Sequence, residues 1–144
     1  MKRLMVALLA FAALTASAQA QTPKAAAGSE QVYWVLTLAV DDLEKFKSVV
    51  QKLVVATQKE EPRALEYEYT VADDQKTVDI VERYTNSRAV LDHLANFGQN
   101  FAKDFMPLVK PVRFVVYGAP TDELKKALAD FHPIYMTPFD GFTR

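Results

Sequence analysis

In the middle of the chain the spacing of the apolar residues changes from every second position to every third or fourth, and this change limits the fold more than any other feature. From Thr77 to Tyr84, polar and mostly apolar side chains alternate, a period of two that is typical of a strand with one covered face. From Val90 to Phe97 the apolar residues fall three or four positions apart, which indicates a helix. Asn86 or Ser87 can cap its start and Gly98 can end it. The sequence therefore predicts a strand that leads directly into a helix.

The first twenty residues have the three-part layout of a secretory leader. Met1-Lys2-Arg3 precedes an uncharged run from Leu4 to Leu14, and small residues follow, ending in Ala18-Gln19-Ala20. The run of 11 apolar residues is shorter than the roughly 20 that a membrane-spanning helix needs. We therefore expect cleavage after Ala20, a flexible mature N-terminus over residues 21–31, no stable membrane anchor after cleavage, and a periplasmic or secreted protein.

The composition of the remaining chain excludes several classes of function. Without Lys2 and Arg3, 15 basic and 18 acidic residues remain, a net charge of −3, and no basic stripe or basic aromatic patch suggests nucleic acid as a partner. The chain has no cysteine, which excludes disulfides, thiolate nucleophiles and cysteine-ligated metals. The remaining length suits one domain, small enough to benefit from a partner surface.

The predicted elements follow the order strand, helix, strand, strand, helix, strand. This order is that of an α+β, ferredoxin-like βαββαβ fold with an antiparallel sheet and helices on one face. A shorter helix starting at Pro120 and Thr121 and an apolar, proline-rich tail follow it. We divide the chain into a ferredoxin-like domain over residues 32–119 and a C-terminal helix and tail over residues 120–144. The four predicted strands span residues 32–40, 64–71, 77–84 and 112–118. The first predicted helix runs from Asp41 or Asp42 to Pro62, and the second runs from Val90 and continues to Leu108.

One face of such a sheet remains uncovered by helices. The second face of the sheet would still carry large apolar side chains from the first and fourth predicted strands, so it also needs cover. A two-fold dimer in which two sheets close face to face would bury it. The sequence therefore predicts a homodimer.

Two side chains near the strand-to-helix corner are candidates for chemistry. His93 falls at the margin of the helix's buried face, where an imidazole could reach a pocket, exchange protons with solvent and act as a general base. Its structural alternative is a histidine satisfied by a carbonyl or by Glu82. Glu82 shares a strand face with Val78 and Ile80, so it should be buried and paired. It would either hold the corner or orient His93 or a substrate hydroxyl.

Aromatic side chains could line a pocket for a flat ring. Their apolar rings, several with a polar tip, suit such a lining, although the same residues could form a dimer core. The candidates are Trp34, Tyr67, Tyr69, Tyr84, Phe97 and Phe101.

Other site types have no support in the sequence. The two histidines stand 39 positions apart, which does not form a metal motif, and Asp73-Asp74 lacks the spacing of a calcium loop. No glycine-rich phosphate loop and no nucleophile elbow occur. We expect no metal and no cofactor.

The chain resembles the antibiotic-biosynthesis-monooxygenase-like dimeric α/β barrels, which include small cofactor-free quinol oxygenases. The resemblance covers residues 33–116 in element order, and its marks are Val81-Glu82-Arg83-Tyr84 with His93 on the following helix. The continuation over residues 116–120 and the tail look like a subgroup with a C-terminal extension. Haem-degrading members use an Asn, Trp and His set; the first strand here has Trp34 but no Asn, which argues against haem breakdown.

The resemblance implies a cofactor-independent monooxygenase that oxidises a small electron-rich, quinol-like aromatic in an apolar pocket. His93 would take a phenolic proton, and the resulting anion would pass an electron to O2. Two alternatives stay open. The protein could bind a small apolar ligand without turnover, or it could be a barrel for subunit assembly whose pocket is filled by Trp34, Tyr67 and Phe101.

Overall fold

The computed structural model describes residues 30–141. The proposed leader, most of the N-terminal segment and the last three residues lie outside the described part. The elements in chain order are β1 (Val32–Val40), α1 (Leu43–Glu60), β2 (Ala64–Val71), β3 (Thr77–Tyr84), α2 (Ser87–Asn100), α3 (Ala102–Phe105), a 3-10 turn (Met106–Leu108), β4 (Val109–Gly118), α4 (Asp122–Ala127), a second 3-10 turn (Ala129–Phe131) and β5 (Ile134–Met136).

The five strands form one sheet in the order β2-β3-β1-β4-β5. The first four strands pair antiparallel, in the order expected for a βαββαβ ferredoxin-like fold. This confirms the α+β fold class. The sequence assigned no strand to the apolar, proline-rich tail, but within it β5 adds to the edge of the sheet and runs parallel to β4. The last connection is a crossover through α4, and a crossover places the returning strand parallel to its neighbour.

Polar side chains start the helices as their positions in the sequence suggest. Asp42 accepts a hydrogen bond from the backbone N–H of Lys45, and Asn86 accepts one from that of Ala89. Thr121 caps α4 in the same way. The Ser87 hydroxyl accepts a hydrogen bond of 2.9 Å from the backbone N–H of Thr121, which ties the C-terminal helix to the start of α2.

Two predicted boundaries were wrong by several residues. Gly98 does not end α2, which continues to Asn100, and the backbone N–H of Phe101 closes the last turn on the Phe97 carbonyl. Glycine lowers helix stability without forbidding a helix, so it is a weak stop signal. Pro111 lies inside β4 because that strand begins at Val109. Pro111 has no N–H to donate, and the register of β4 against β1 shifts beside it.

The helices cover the face of the sheet to which the even-numbered residues of β1 and β3 point. In the register of these strands, Trp34 lies opposite Glu82, Leu36 opposite Ile80 and Leu38 opposite Val78. Two apolar clusters fill the space below the helices. One joins Trp34 to α2 and α4, and the other joins Leu38 to α1 and α3. Among the helices of residues 30–141, none is long and apolar enough to cross a bilayer.

Candidate functional site

A cavity of about 100 Å³ lies between the sheet and the helices, where the two apolar clusters meet. Its wall is almost entirely apolar and includes residues from the sheet, α2, α3 and the C-terminal segment. The lining residues are Trp34, Leu36, Leu38, Tyr67, Tyr69, Ile80, Glu82, His93, Leu94, Phe97, Phe105, Met106, Val109, Pro111, Phe114, Leu128 and Phe131.

The C-terminal segment forms part of the cavity wall. Leu128 is fully buried there, whereas Phe131 is 50% exposed and Met106 is 41% exposed. Side chains that touch both the cavity and solvent mark its mouth. The extension beyond the βαββαβ core therefore narrows the entrance to the cavity.

His93 is buried and lines the cavity. The expectation of a histidine at the margin of the helix was wrong, since only 3% of its surface is exposed. Its Nδ1 lies 2.8 Å from Oε2 of Glu61, and its Nε2 lies 3.6 Å from Oε2 of Glu82. The rings of Tyr67 and Tyr84 pack beside it at centroid distances of 5.3 and 5.4 Å. The imidazole is therefore held on both sides by carboxyl groups and confined by aromatic rings.

Glu82 is buried and paired, as its strand face predicts. It is 5% exposed, and the hydroxyl of Tyr84 donates a hydrogen bond of 2.6 Å to its Oε2. Burial raises the pKa of Glu82, while His93 and the Tyr84 hydroxyl act in the opposite direction. Burial also raises the pKa of Tyr84, so its hydroxyl keeps its proton. Tyr84 thus holds the carboxyl group of Glu82 in place by a hydrogen bond and does not itself line the cavity.

Glu61 is the residue of the site that the sequence did not reveal. It follows α1 directly, and the Nδ2 amide of Asn96 donates a hydrogen bond of 2.7 Å to its Oε1. One sequence signal could have found it: Glu60 and Glu61 stand at the C-terminal end of a helix, where the helix dipole disfavours negative charge. Local inconsistencies of this kind concentrate at functional sites.

Tyr67 and Tyr69 present a pair of hydroxyl groups at the cavity wall. Their oxygens are 2.8 Å apart, so one hydroxyl donates to the other. Burial is the main cause that raises the pKa of both phenols, followed by the nearby Glu82 carboxyl. Both residues therefore remain neutral and offer hydrogen-bonding groups to a ligand.

The other predicted lining residues divide between the cavity and its surroundings. Trp34 and Phe97 line it, and the buried indole N–H of Trp34 has no hydrogen-bond partner among the described residues. The Trp34 indole still lowers the pKa of the neighbouring Glu82, although no hydrogen bond of ordinary length joins the two side chains. Tyr84 and Phe101 do not line the cavity. Tyr84 lies behind Glu82, and Phe101 packs against the core cluster around Leu38.

The arrangement suits proton transfer to or from a ligand in the cavity. Within residues 30–141, no three His, Cys, Asp or Glu side chains are arranged so that they could hold a metal ion. The two carboxyl groups approach opposite nitrogens of the same ring, so they polarise the imidazole along one axis. An imidazole with one nitrogen in hydrogen-bond contact with a carboxyl group and the other facing a cavity-lining carboxyl group at 3.6 Å has the chemistry to take up and release a proton.

Comparison with known proteins identifies the fold. No protein-family model and no curated protein matches the chain. The crystal structure of MupZ from Pseudomonas fluorescens is similar with a TM-score of 0.71 at 24% sequence identity, over 79% of this chain and 94% of that chain.

Two further solved structures are similar over a smaller share of this chain. SnoaB from Streptomyces nogalater, a cofactor-independent oxygenase, has a TM-score of 0.55 at 17% identity, over 63% of this chain and 94% of its own. A candidate antibiotic biosynthesis monooxygenase from Caulobacter crescentus has a TM-score of 0.53 at 20% identity, over 60% of this chain and 84% of its own. The chain therefore has the fold of the antibiotic-biosynthesis-monooxygenase-like proteins.

Proposed function

We propose that this protein is a cofactor-independent monooxygenase that oxidises a small, electron-rich, quinol-like aromatic. The observation that carries the proposal is the single buried imidazole, flanked by two carboxyl groups, in the wall of an otherwise apolar cavity. The similarity in fold to SnoaB, a cofactor-independent oxygenase, supports it.

The size and lining of the cavity favour a ligand with one ring. Its volume of about 100 Å³ is of the same order as the roughly 150 Å³ cavity that binds benzene in another protein. The aromatic walls would stack on a flat ring, while the Tyr67 and Tyr69 hydroxyls and the indole N–H of Trp34 could bind its oxygens. A cavity of this size also argues against a barrel kept for assembly alone.

The proposed reaction begins with proton transfer from the substrate. The O–H bond of a phenolic substrate breaks and its proton forms a bond to Nε2 of His93. The anion passes one electron to O2, and the radical and superoxide combine into a peroxide at a ring carbon that carries hydrogen. Loss of water from the peroxide leaves one oxygen atom as a carbonyl, and the proton held by His93 leaves with the second oxygen. The substrate supplies all four electrons, so no other reductant is needed.

The apolar cavity contributes to this reaction by excluding water. A phenolate in a dry site lacks the hydration shell that would stabilise its charge, which favours electron transfer to O2. The protein positions the ring, removes the proton and excludes solvent.

Oxygen uptake by the mature protein with monocyclic quinols tests the proposal. We expect uptake that His93→Ala lowers by about 100-fold or more, within the range that general base catalysis contributes. His132→Asn is the matched control, because His132 is exposed, does not line the cavity and has a left-handed backbone that Asn tolerates. Wild-type activity in His93→Ala would remove the assigned base. Saturable thermal stabilisation by quinols without oxygen uptake would instead identify a ligand-binding protein.

We also propose that two copies associate through the uncovered face of the sheet. Tyr33 of β1 lies on this face, is 37% exposed and stacks on Tyr117 of β4 at a ring distance of 4.9 Å. Val35 and Val81, which lie opposite each other in β1 and β3, continue this apolar surface and are partly exposed. Light scattering should give twice the mass of the mature chain, and a stable monomer at micromolar concentration would contradict the proposal.

A further inference from the structure

A continuous chain of polar contacts runs behind the cavity from α2 to β3. The Asn96 amide donates to Oε1 of Glu61 at 2.7 Å, and Oε2 of Glu61 lies 2.8 Å from Nδ1 of His93. On the opposite side of the ring, Nε2 lies 3.6 Å from Glu82, which accepts from Tyr84 at 2.6 Å. Of these five residues, only His93 and Glu82 line the cavity.

The contact with Glu61 decides which nitrogen of His93 carries the proton. A neutral imidazole has one N–H, and an ionised carboxylate can only accept hydrogen bonds. At 2.8 Å from Oε2 of Glu61, the Nδ1 atom must therefore donate. The lone pair is then left on Nε2, on the side of Glu82 and the cavity.

We propose that Glu61 is the positioning residue of His93. It selects the Nδ1–H tautomer, directs the basic Nε2 into the cavity and stabilises the imidazolium that forms when Nε2 takes a proton. Glu61 does not line the cavity, so it acts through His93 and not on a ligand. As a role in catalysis, this inference rests on the proposed monooxygenase function, whereas the choice of tautomer does not.

Two neighbours keep Glu61 in the geometry that this role needs. The Asn96 amide occupies its second oxygen, and its own backbone N–H donates to the Thr57 carbonyl at 2.9 Å as the last bond of α1. A carboxylate held at both oxygens and at its backbone loses little freedom when it binds the ring. Held partners of this kind commonly orient functional histidines.

Glu61 also connects the buried ring with the protein surface. Its side chain is 12% exposed, and it lines a surface cleft of about 130 Å³ together with Arg63 and Asp92, which form an ion pair with each other. A proton on Nδ1 can therefore exchange through Glu61 with solvent in this cleft, whereas Nε2 is on the side of the apolar cavity. His93 thus contacts two environments through its two nitrogens.

Nitrogen NMR of the two histidines in the mature protein tests the choice of tautomer. In wild type we expect Nδ1 of His93 to give the signal of a protonated nitrogen and Nε2 that of an unprotonated one. Glu61→Gln keeps the side-chain shape but offers an amide N–H to Nδ1, so it should move the proton to Nε2. His132→Asn assigns the second histidine, and Glu60→Gln is the matched control because it removes the same charge from the adjacent, exposed position.

Reaction rates of the same variants distinguish a role of Glu61 in positioning His93 from a role in the stability of the fold. Oxygen uptake with quinols should fall about 100-fold in kcat for Glu61→Gln, with KM changed less than about threefold, because the ligand loses its base and not its binding site. Glu61→Asp, which retains a carboxylate, should recover part of the rate. Glu60→Gln should match wild type in both signals and rate.

A wild-type protein with the proton on Nε2 would overturn the inference without any variant, even if Glu61→Gln failed to fold. Retention of the Nδ1–H signal in a folded Glu61→Gln protein would overturn it as well. If the tautomer changes as expected but wild type consumes no oxygen with quinols, the choice of tautomer stands and the proposed reaction fails.

Discussion

The hydrogen bond from Tyr84 to Glu82 should make a large contribution to stability for a single hydroxyl group. Both side chains are buried, and the oxygens are 2.6 Å apart. Tyr84→Phe keeps the ring that packs against Trp34 and His93 but removes the donor. The change therefore isolates one polar contact in an unaltered apolar environment.

The magnitude follows from what the carboxyl group loses. A hydrogen bond to a charged group contributes roughly 1.5–3 kcal/mol, and a buried acceptor left without its donor costs a similar amount. Where Glu82 is ionised, on the alkaline side of its folded pKa, we expect Tyr84→Phe to lower the free energy of unfolding by about 2 kcal/mol, which corresponds to a fall in Tm of roughly 8 °C in a domain of this size.

The pKa of Glu82 determines how the effect of Tyr84→Phe on stability changes with pH. Burial raises the pKa of Glu82 above its usual 4.5, so the folded state holds this proton more tightly than the unfolded state does. The stability from this group is fully present below 4.5 and is lost as the pH rises through the folded pKa. The Tyr84 hydroxyl favours the ionised form, so its removal raises the pKa of Glu82 further and increases the loss on the alkaline side. Because bonds to charged groups are roughly twice as strong as neutral ones, the effect of Tyr84→Phe should halve, to about 1 kcal/mol, at acidic pH.

Urea unfolding at a fixed protein concentration, repeated from acidic to alkaline pH, measures the loss of stability in Tyr84→Phe and its pH dependence. Tyr135→Phe is the control, since that ring is 37% exposed on the edge strand β5, its hydroxyl makes only a long contact of 3.4 Å with the Lys125 carbonyl, and its loss should change stability by less than about 0.5 kcal/mol. Glu82→Gln, made alone and in the Tyr84→Phe background, completes a double-mutant cycle and gives the coupling energy. A loss for Tyr84→Phe that is below about 0.5 kcal/mol, or that is the same at all pH values, would refute the reasoning.

Three further predictions concern the backbone, the mouth of the cavity and the leader. Gly118 has φ +89°, and a side chain there would collide with the Gln31 carbonyl, so Gly118→Ala should lower the free energy of unfolding by more than about 1 kcal/mol. Gly98 lies in an open helix position, so Gly98→Ala should raise the free energy of unfolding by roughly 0.5–1 kcal/mol. Similar effects of the two substitutions in urea unfolding would contradict the argument. Phe131→Ala should widen the mouth and raise kcat/KM for two-ring quinols relative to one-ring quinols, and an unchanged ratio would count against Phe131 as a mouth residue. Mass spectrometry of the exported protein should find cleavage after Ala20, and an intact N-terminus would disprove the leader.

The local part of the site could be predicted because it depends on neighbours in the chain. Glu82 and Tyr84 are two residues apart on a strand, so a period of two puts them on one face, and the apolar neighbours on that face predicted burial. The same reasoning gave the element order and hence the ferredoxin-like sheet.

The polar partner of His93 could not be predicted in the same way. Glu61 stands 32 positions from His93 in the chain, and the two meet only because the residue that follows α1 reaches His93 and Asn96 of α2. That distance depends on how the helices lie on the twisted sheet, which no local period encodes. The same packing buries His93, which the helical wheel had placed at the margin of the covered face.

The amino-acid sequence by itself determined the strands, the helices, their order and the side chains that share a face, since periods of two and of three to four are properties of adjacent residues. Only the tertiary structure decided that two carboxyl groups meet one imidazole, that the C-terminal segment narrows the cavity, and that β5 extends the sheet. These features arise where distant segments converge, and their geometry follows from the packing of the whole domain.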